Sequence, residues 1–167
     1  MTQPWGEPRQ RTVTWHDPQV GAAVMGSMTG QQYLQAMVDG TLPPPPISAL
    51  MGMTALSVEV GTVVFSCTPD ESAYNPIGLV HGGLVCTLLD SVVGCAVHST
   101  LPAGTGYTSL EIKVSYLRAV RTGEGQLLAT GRVTKPGNRV AFAEGEVRDA
   151  ADRLVASATS TCLVYPL

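Results

Sequence analysis

A chain of 167 residues suits one domain and leaves little room for a second. Hydrophobic residues make up 44% and charged ones 14%, which calls for a substantial buried core and hints at further surface covered by an oligomer contact. The net charge of −3, with 10 basic residues scattered along the chain, excludes the concentrated basic footprint of a nucleic-acid binder.

The first residues, Met-Thr-Gln-Pro-Trp-Gly-Glu, lack the basic-then-apolar pattern of a secretory signal, so a cytoplasmic address is expected. Residues 1 to about 28 are rich in Pro, Gly, Gln and Thr and read as a flexible or surface-draped arm. A short helix is expected from Thr29, which serves as its N-cap, to a stop at Gly40. The four prolines Pro43 to Pro46 then favour an extended strap. An arm over 1–48 and a domain over 49–167 follow.

Met53 to Val60 and Thr62 to Thr68 read as two strands joined around Gly61, and Pro69 to Val80 as polar and turn-rich. Leu84, Val85, Leu88, Leu89, Val92, Val93, Ala96 and Val97 then fall at helical spacing around most of a circumference. Such a helix is enclosed rather than resting on a surface. No apolar run is expected to reach the roughly 18 residues that a membrane-spanning helix needs. Thr100 to Gly106 ends the helix. In the strand that follows, Leu110, Ile112, Val114 and Tyr116 are expected on one face and Glu111, Lys113 and Ser115 on the other. Gln126 to Thr134 and Val140 to Val147 are expected to be joined by a type II turn at Lys135-Pro136-Gly137-Asn138, and Leu154 to Val164 to form the last strand. One long helix wrapped by a curved antiparallel sheet, an α+β arrangement, satisfies this order. A doubly wound α/β fold does not, because strands and helices fail to alternate. Cys67, Cys86, Cys95 and Cys162 include no Cys-x-x-Cys pair and read as small apolar residues rather than a disulfide or zinc framework.

Chemistry concentrates between Asn75 and Asp90. Two adjacent glycines, Gly82 and Gly83, at the mouth of an apolar helix cost roughly 1 kcal/mol each against alanine. They suit close approach of a ligand to a helix start, whose N–H groups lack internal partners and carry partial positive charge. A carbonyl oxygen that gains negative charge during attack fits there, with Gly82 N–H as donor; a tight loop-to-helix passage without ligand is the alternative. Asp90 is the second anomaly, a carboxylate among Leu88, Leu89, Val92 and Val93. It is either paired structurally or faces a polar pocket as base or nucleophile. Eight residues of helix separate Gly82 from Asp90, roughly 12 Å. Two antiparallel copies of the helix would bring Asp90 of one chain opposite Gly82 of the other, giving two sites per two-fold dimer.

Asn75, His81-Gly82-Gly83 and Asp90, with the strand Leu110-Glu-Ile-Lys-Val-Ser-Tyr-Leu-Arg118, Gly131-Arg132 and the stretch Ala156 to Thr161, resemble PaaI-like acyl-CoA thioesterases. These form part of the hydroxybenzoyl-CoA thioesterase branch of the hotdog superfamily, and the resemblance covers about residues 45 to 165. It implies a hotdog fold and hydrolysis of an acyl-CoA or aryl-CoA thioester, in a homodimer or homotetramer. No metal or redox cofactor is implied, CoA being part of the substrate. Carried over, Gly82 N–H and Asn75 would polarise the thioester carbonyl, and Asp90 would activate water or attack directly. His81 would orient the site, and Ser109 would position the acid or the water. Gly83 and Thr108 stand beside these as substrate contacts, Thr108 replacing Ser109 if the strand register differs by one. Ser109, opposite Leu110 and Ile112, is expected to look into an interface. Ala119 stands where the family carries a proline.

Arg118, Arg121, Lys135 and Arg139 offer phosphate contacts for CoA, against the alternative that strand-end cations are merely solvated. His98 reads as structural, near a helix end that favours a cation. Ser91 lacks the Gly-x-Ser-x-Gly elbow of a serine hydrolase. The rival readings are a non-catalytic acyl-CoA-binding hotdog protein and a hotdog hydratase or dehydratase. The arm carries no helix-turn-helix for a DNA-binding regulator, and the acid pairing of the hydratases is not found.

Overall fold

The computed structural model describes residues 5–167, so the first four residues of the expected arm lie outside it. The helices are α1 (Gln19–Met25), α2 (Gly30–Val38), α3 (Pro46–Met51) and α4 (Gly82–Ser99). The strands are β1 (Met53–Glu59), β2 (Thr62–Cys67), β3 (Thr105–Tyr116), β4 (Leu127–Lys135), β5 (Val140–Arg148) and β6 (Leu154–Pro166). All six strands join one antiparallel sheet in the order β1-β2-β4-β5-β6-β3. The sheet curls around α4, as the order of elements in the sequence requires.

The core lies between α4 and the inner sheet face. Leu88, Leu89, Val92, Val93, Ala96 and Val97 are fully buried against residues such as Val63, Ala129, Ala143 and Val147. Small residues let the sheet close on the helix backbone: a Cβ on Gly131 would lie 2.1 Å from the carbonyl oxygen of Val92. By length and composition alone α4 is long and apolar enough to cross a membrane, at a mean hydropathy of 1.4 over 18 residues, so the expectation that no segment reaches that threshold is corrected. Its apolar residues are spent inside this sheet instead.

Three local readings change. The arm is not irregular throughout, because α1 forms within it, entered through Asp17-Pro18 with the Asp17 carboxylate accepting from Gln19 N–H at 2.9 Å. The proline strap ends early, because Pro46 occupies the first turn of α3, where a missing N–H costs nothing. The boundary drawn at residue 48 therefore falls inside a helix. The β4–β5 connection is not a type II turn, since Gly137 is absent from the glycines with positive φ that such a turn demands.

Around α2 the sequence reading holds. Thr29 caps the helix reciprocally with Gln32, and Gly40 takes the left-handed conformation just beyond it. Leu34 enters the core and Tyr33 stacks 5.5 Å from the ring of His98. The extended segment ahead of α1 is tied to the surface rather than loose. Arg11 pairs with Asp70 and donates to the carbonyls of Ala49 and Leu50, while Arg9 pairs with Glu71.

Candidate active site

The loop before α4 is built by Asn75. Its Oδ1 accepts from the backbone N–H of Ile77 and of Leu79, both at 3.1 Å, and its own N–H donates to the Leu79 carbonyl at 2.8 Å. This closed turn fixes the side-chain orientation and leaves the amide NH2 as the group's free donor. The chain then enters α4 through His81, the N-cap, whose Nδ1 accepts from Gly83 N–H at 2.8 Å. An accepting Nδ1 places the imidazole hydrogen of the neutral ring on Nε2, which is thereby a donor. Gly83 N–H is consequently occupied, whereas Gly82 N–H meets no acceptor among the described residues.

Two clefts flank this helix start. One, of about 320 Å³, is lined by Asn75, Gly82, Tyr116, Leu117 and Arg118. The other, of about 520 Å³, is lined by His81, Gly83 and Thr87 together with Leu50, Met51 and Arg11 of the arm. Asn75, Gly82 and Arg118 thus converge on one side, and His81 and Gly83 on the other.

Asp90 sits two turns further along α4, half-buried, and accepts from Ser109 Oγ at 2.9 Å. This pairing corrects the expected strand facing. A bulge between Ser109 and Glu111 inserts Leu110 as an extra residue, so Ser109 and Ile112 both point toward the helix, while Leu110 is exposed. Thr108, paired with Leu163, takes the outward face and stands away from Asp90. Arg139 lies at the β4–β5 connection, its carbonyl accepting from Val164 N–H, and is not part of either cleft.

The far end of α4 is chemically quiet. His98 is buried between Tyr33 and Tyr107, and burial pushes its pKa below the ordinary imidazole value. Burial also raises the Tyr107 phenol well above its usual range and pushes the Cys95 thiol up to about 12. These groups stay neutral and serve packing.

One contributor was missed by reading the sequence: Tyr116, whose hydroxyl donates to the Gly82 carbonyl at 3.0 Å from 34 residues away. Alternation marked it only as an apolar position on a strand. No local signal links it to the helix start.

Residues 77–156 match the family model of the thioesterase superfamily. Human acyl-coenzyme A thioesterase 13 is 29% identical over 110 residues, 65% of this chain and 77% of the relative. The chain spans 56% of the length of a Halobacterium salinarum relative to which it is 38% identical over 88 residues. Among solved structures, a phenylacetic acid degradation-related protein from Ralstonia eutropha JMP134 superposes with a TM-score of 0.72 at 29% identity, over 78% of this chain and 98% of that one. A Streptococcus mutans UA159 protein solved bound to acetyl CoA gives 0.63 at 28% identity, over 68% and 89%. The chain has the hotdog fold, and over residues 77–156 it is similar to the thioesterase superfamily.

Proposed function

We propose that this protein hydrolyses an acyl-CoA or aryl-CoA thioester to the free acid and CoA, at a site shared between two copies of the chain. The observation that carries the reading is the arrangement along α4. A free N–H at Gly82 opens into a cleft beside Asn75 and Arg118, and eight residues further on a carboxylate is held by Ser109. Within one helix these groups are roughly 12 Å apart, too far to serve a single carbonyl carbon. A second, antiparallel copy of α4 closes that gap. The edge of β3 away from β6 has no strand partner among the described residues, which offers a place for the second copy's sheet to continue.

In this site Gly82 N–H and the Asn75 amide take the charge developing on the thioester oxygen. Asp90 of the other chain, oriented by Ser109, activates water as a base or attacks the carbonyl carbon itself. The thiolate of CoA leaves and water supplies the second oxygen of the acid. His81 and Gly83 shape the helix start from the neighbouring cleft, and Thr108 lies further out, on the outward face of β3. Arg118 and, from the outer rim, Arg139 meet CoA phosphates. The reaction requires no group beyond the CoA that the substrate brings. The human relative's name as an acyl-CoA thioesterase and the acetyl CoA bound by the Streptococcus protein support this substrate class.

The test is thiol release from a panel of aryl- and fatty-acyl-CoA esters, with Asp90→Asn beside the natural chain. Turnover should fall by at least ~10²-fold in the variant, the scale of a lost acid/base group. Equal turnover by the two proteins would overturn the mechanism. Binding of acyl-CoA without hydrolysis would favour the non-catalytic reading.

A further inference from the structure

The peptide unit joining Gly82 to Gly83 is held at both ends. Its carbonyl oxygen accepts from Tyr116 Oη at 3.0 Å, and its N–H donates to His81 Nδ1 at 2.8 Å. The two grips come from opposite sides. His81 is the residue that opens the helix, and Tyr116 is the last residue of β3. The tyrosine ring also lies flush against the backbone, since a Cβ on Gly82 would stand 3.1 Å from its Cζ. A side chain at that position would press on the ring, which would have to give by a few tenths of an ångström. Partial desolvation, and then the nearby Cys86 thiol, raise the Tyr116 phenol above its ordinary value, in keeping with its role as donor here.

We propose that Tyr116 is a positioning residue: with His81 it clamps the Gly82–Gly83 peptide and thereby aims the adjoining free N–H of Gly82 into the cleft shared with Asn75 and Arg118. The argument is one of preorganisation. A donor for a developing negative charge is useful in proportion to how little it must reorient during reaction. The first turn of a helix is held by fewer internal hydrogen bonds than its middle, and two consecutive glycines loosen it further. Without outside contacts the orientation of the Gly82 amide would be averaged over several backbone states. The clamp removes that freedom while leaving the one N–H unpaired. Tyr116 needs no contact with substrate for this, although its ring forms part of the cleft wall.

The proposal rests on the thioesterase reading for its kinetic consequence but not for its structural one, so the test has two arms. Tyr116→Phe keeps the ring against Gly82 and removes only the hydroxyl. In thiol-release kinetics kcat should fall about tenfold, the equivalent of one lost hydrogen bond of about 1.4 kcal/mol. KM should stay within about twofold and the melting temperature should fall by no more than about 5 °C, the scale of one hydrogen bond. Combined with His81→Ala, the loss should be smaller than the product of the two separate losses, because both act on one peptide. In the second arm, NMR of the labelled protein should show the Gly82 carbonyl carbon and Gly83 amide signals displaced in Tyr116→Phe, with faster exchange of the Gly83 amide. Unchanged signals at those two residues overturn the clamp whether or not any acyl-CoA is turned over. Unchanged kcat in an enzyme that is active, or strictly multiplicative losses with His81→Ala, overturn its role in positioning. Failure of the natural chain to hydrolyse any thioester while the signals do move sinks the function and leaves the clamp standing.

Discussion

His98 shows how one side chain couples packing to pH. It is buried between Tyr33 of α2 and Tyr107 of β3, and burial alone lowers its pKa, with no charged partner offsetting the effect. The unfolded chain therefore binds a proton at this position more readily than the folded one. Its contribution to stability is complete above the unfolded value, about 6.5, and is lost as pH falls from there through the lower folded value. The melting temperature should drop between pH 7 and pH 5, and His98→Phe, which retains a ring between the tyrosines, should flatten that slope. A slope identical in the two proteins would show that other groups govern acid stability. Asp90 illustrates the opposite case of a polar residue on the same helix. Its position among leucines and valines made it conspicuous in the sequence, and Ser109 was named as its neighbour. The direction in which Ser109 points was not legible, because the bulge at Leu110 that turns it inward leaves no mark in the alternation of residues.

At the scale of elements, what was legible follows the strength of local signals. The capping box at Thr29 and Gln32 and the run of apolar residues in α4 each declare themselves within a few residues. Helices α1 and α3 are six or seven residues long, and their formation depends on docking rather than on propensity. Tyr116 was read only as a strand position because its partner lies on another element. The contact between α4 and β4 is the tightest test of the architecture. Gly131 faces the Val92 carbonyl so closely that a methyl group has no room, and neither partner is a movable side chain. Gly131→Ala should therefore push the sheet from the helix and destabilise the protein by about 1–3 kcal/mol, the usual scale for overpacking. Thermal or denaturant unfolding reads this directly. A variant as stable as the natural chain would mean that the sheet can shift as a unit without loss.

For the whole molecule, the decisive question is whether one chain or two complete a site. The single fold brings Asn75, Gly82 and Arg118 together but leaves Asp90 with Ser109 further down the helix, and among the described residues its sheet ends in an unpaired β3 edge. If the site is shared, two differently crippled chains can repair each other. Gly82→Val cripples one half of the machinery by placing a branched side chain over the free N–H and against the Tyr116 ring, and Asp90→Asn removes the other half. In a mixed dimer, one site inherits both defects and the other inherits neither. Random pairing of equal amounts makes half the dimers mixed, each with one intact site of two, so activity should recover to about a quarter of the natural level. A chain carrying both substitutions, paired with a natural chain, should instead give a dimer with no working site. Co-expression of the two single variants under separate affinity tags, followed by two-step purification of the mixed species, isolates the relevant dimer. Because neither chain alone would hold a complete set of groups, recovered turnover can arise only across the interface. Its absence in a correctly assembled mixed dimer would mean that each chain works by itself, and the distance along α4 would then have to be bridged by a substrate contact other than the one proposed.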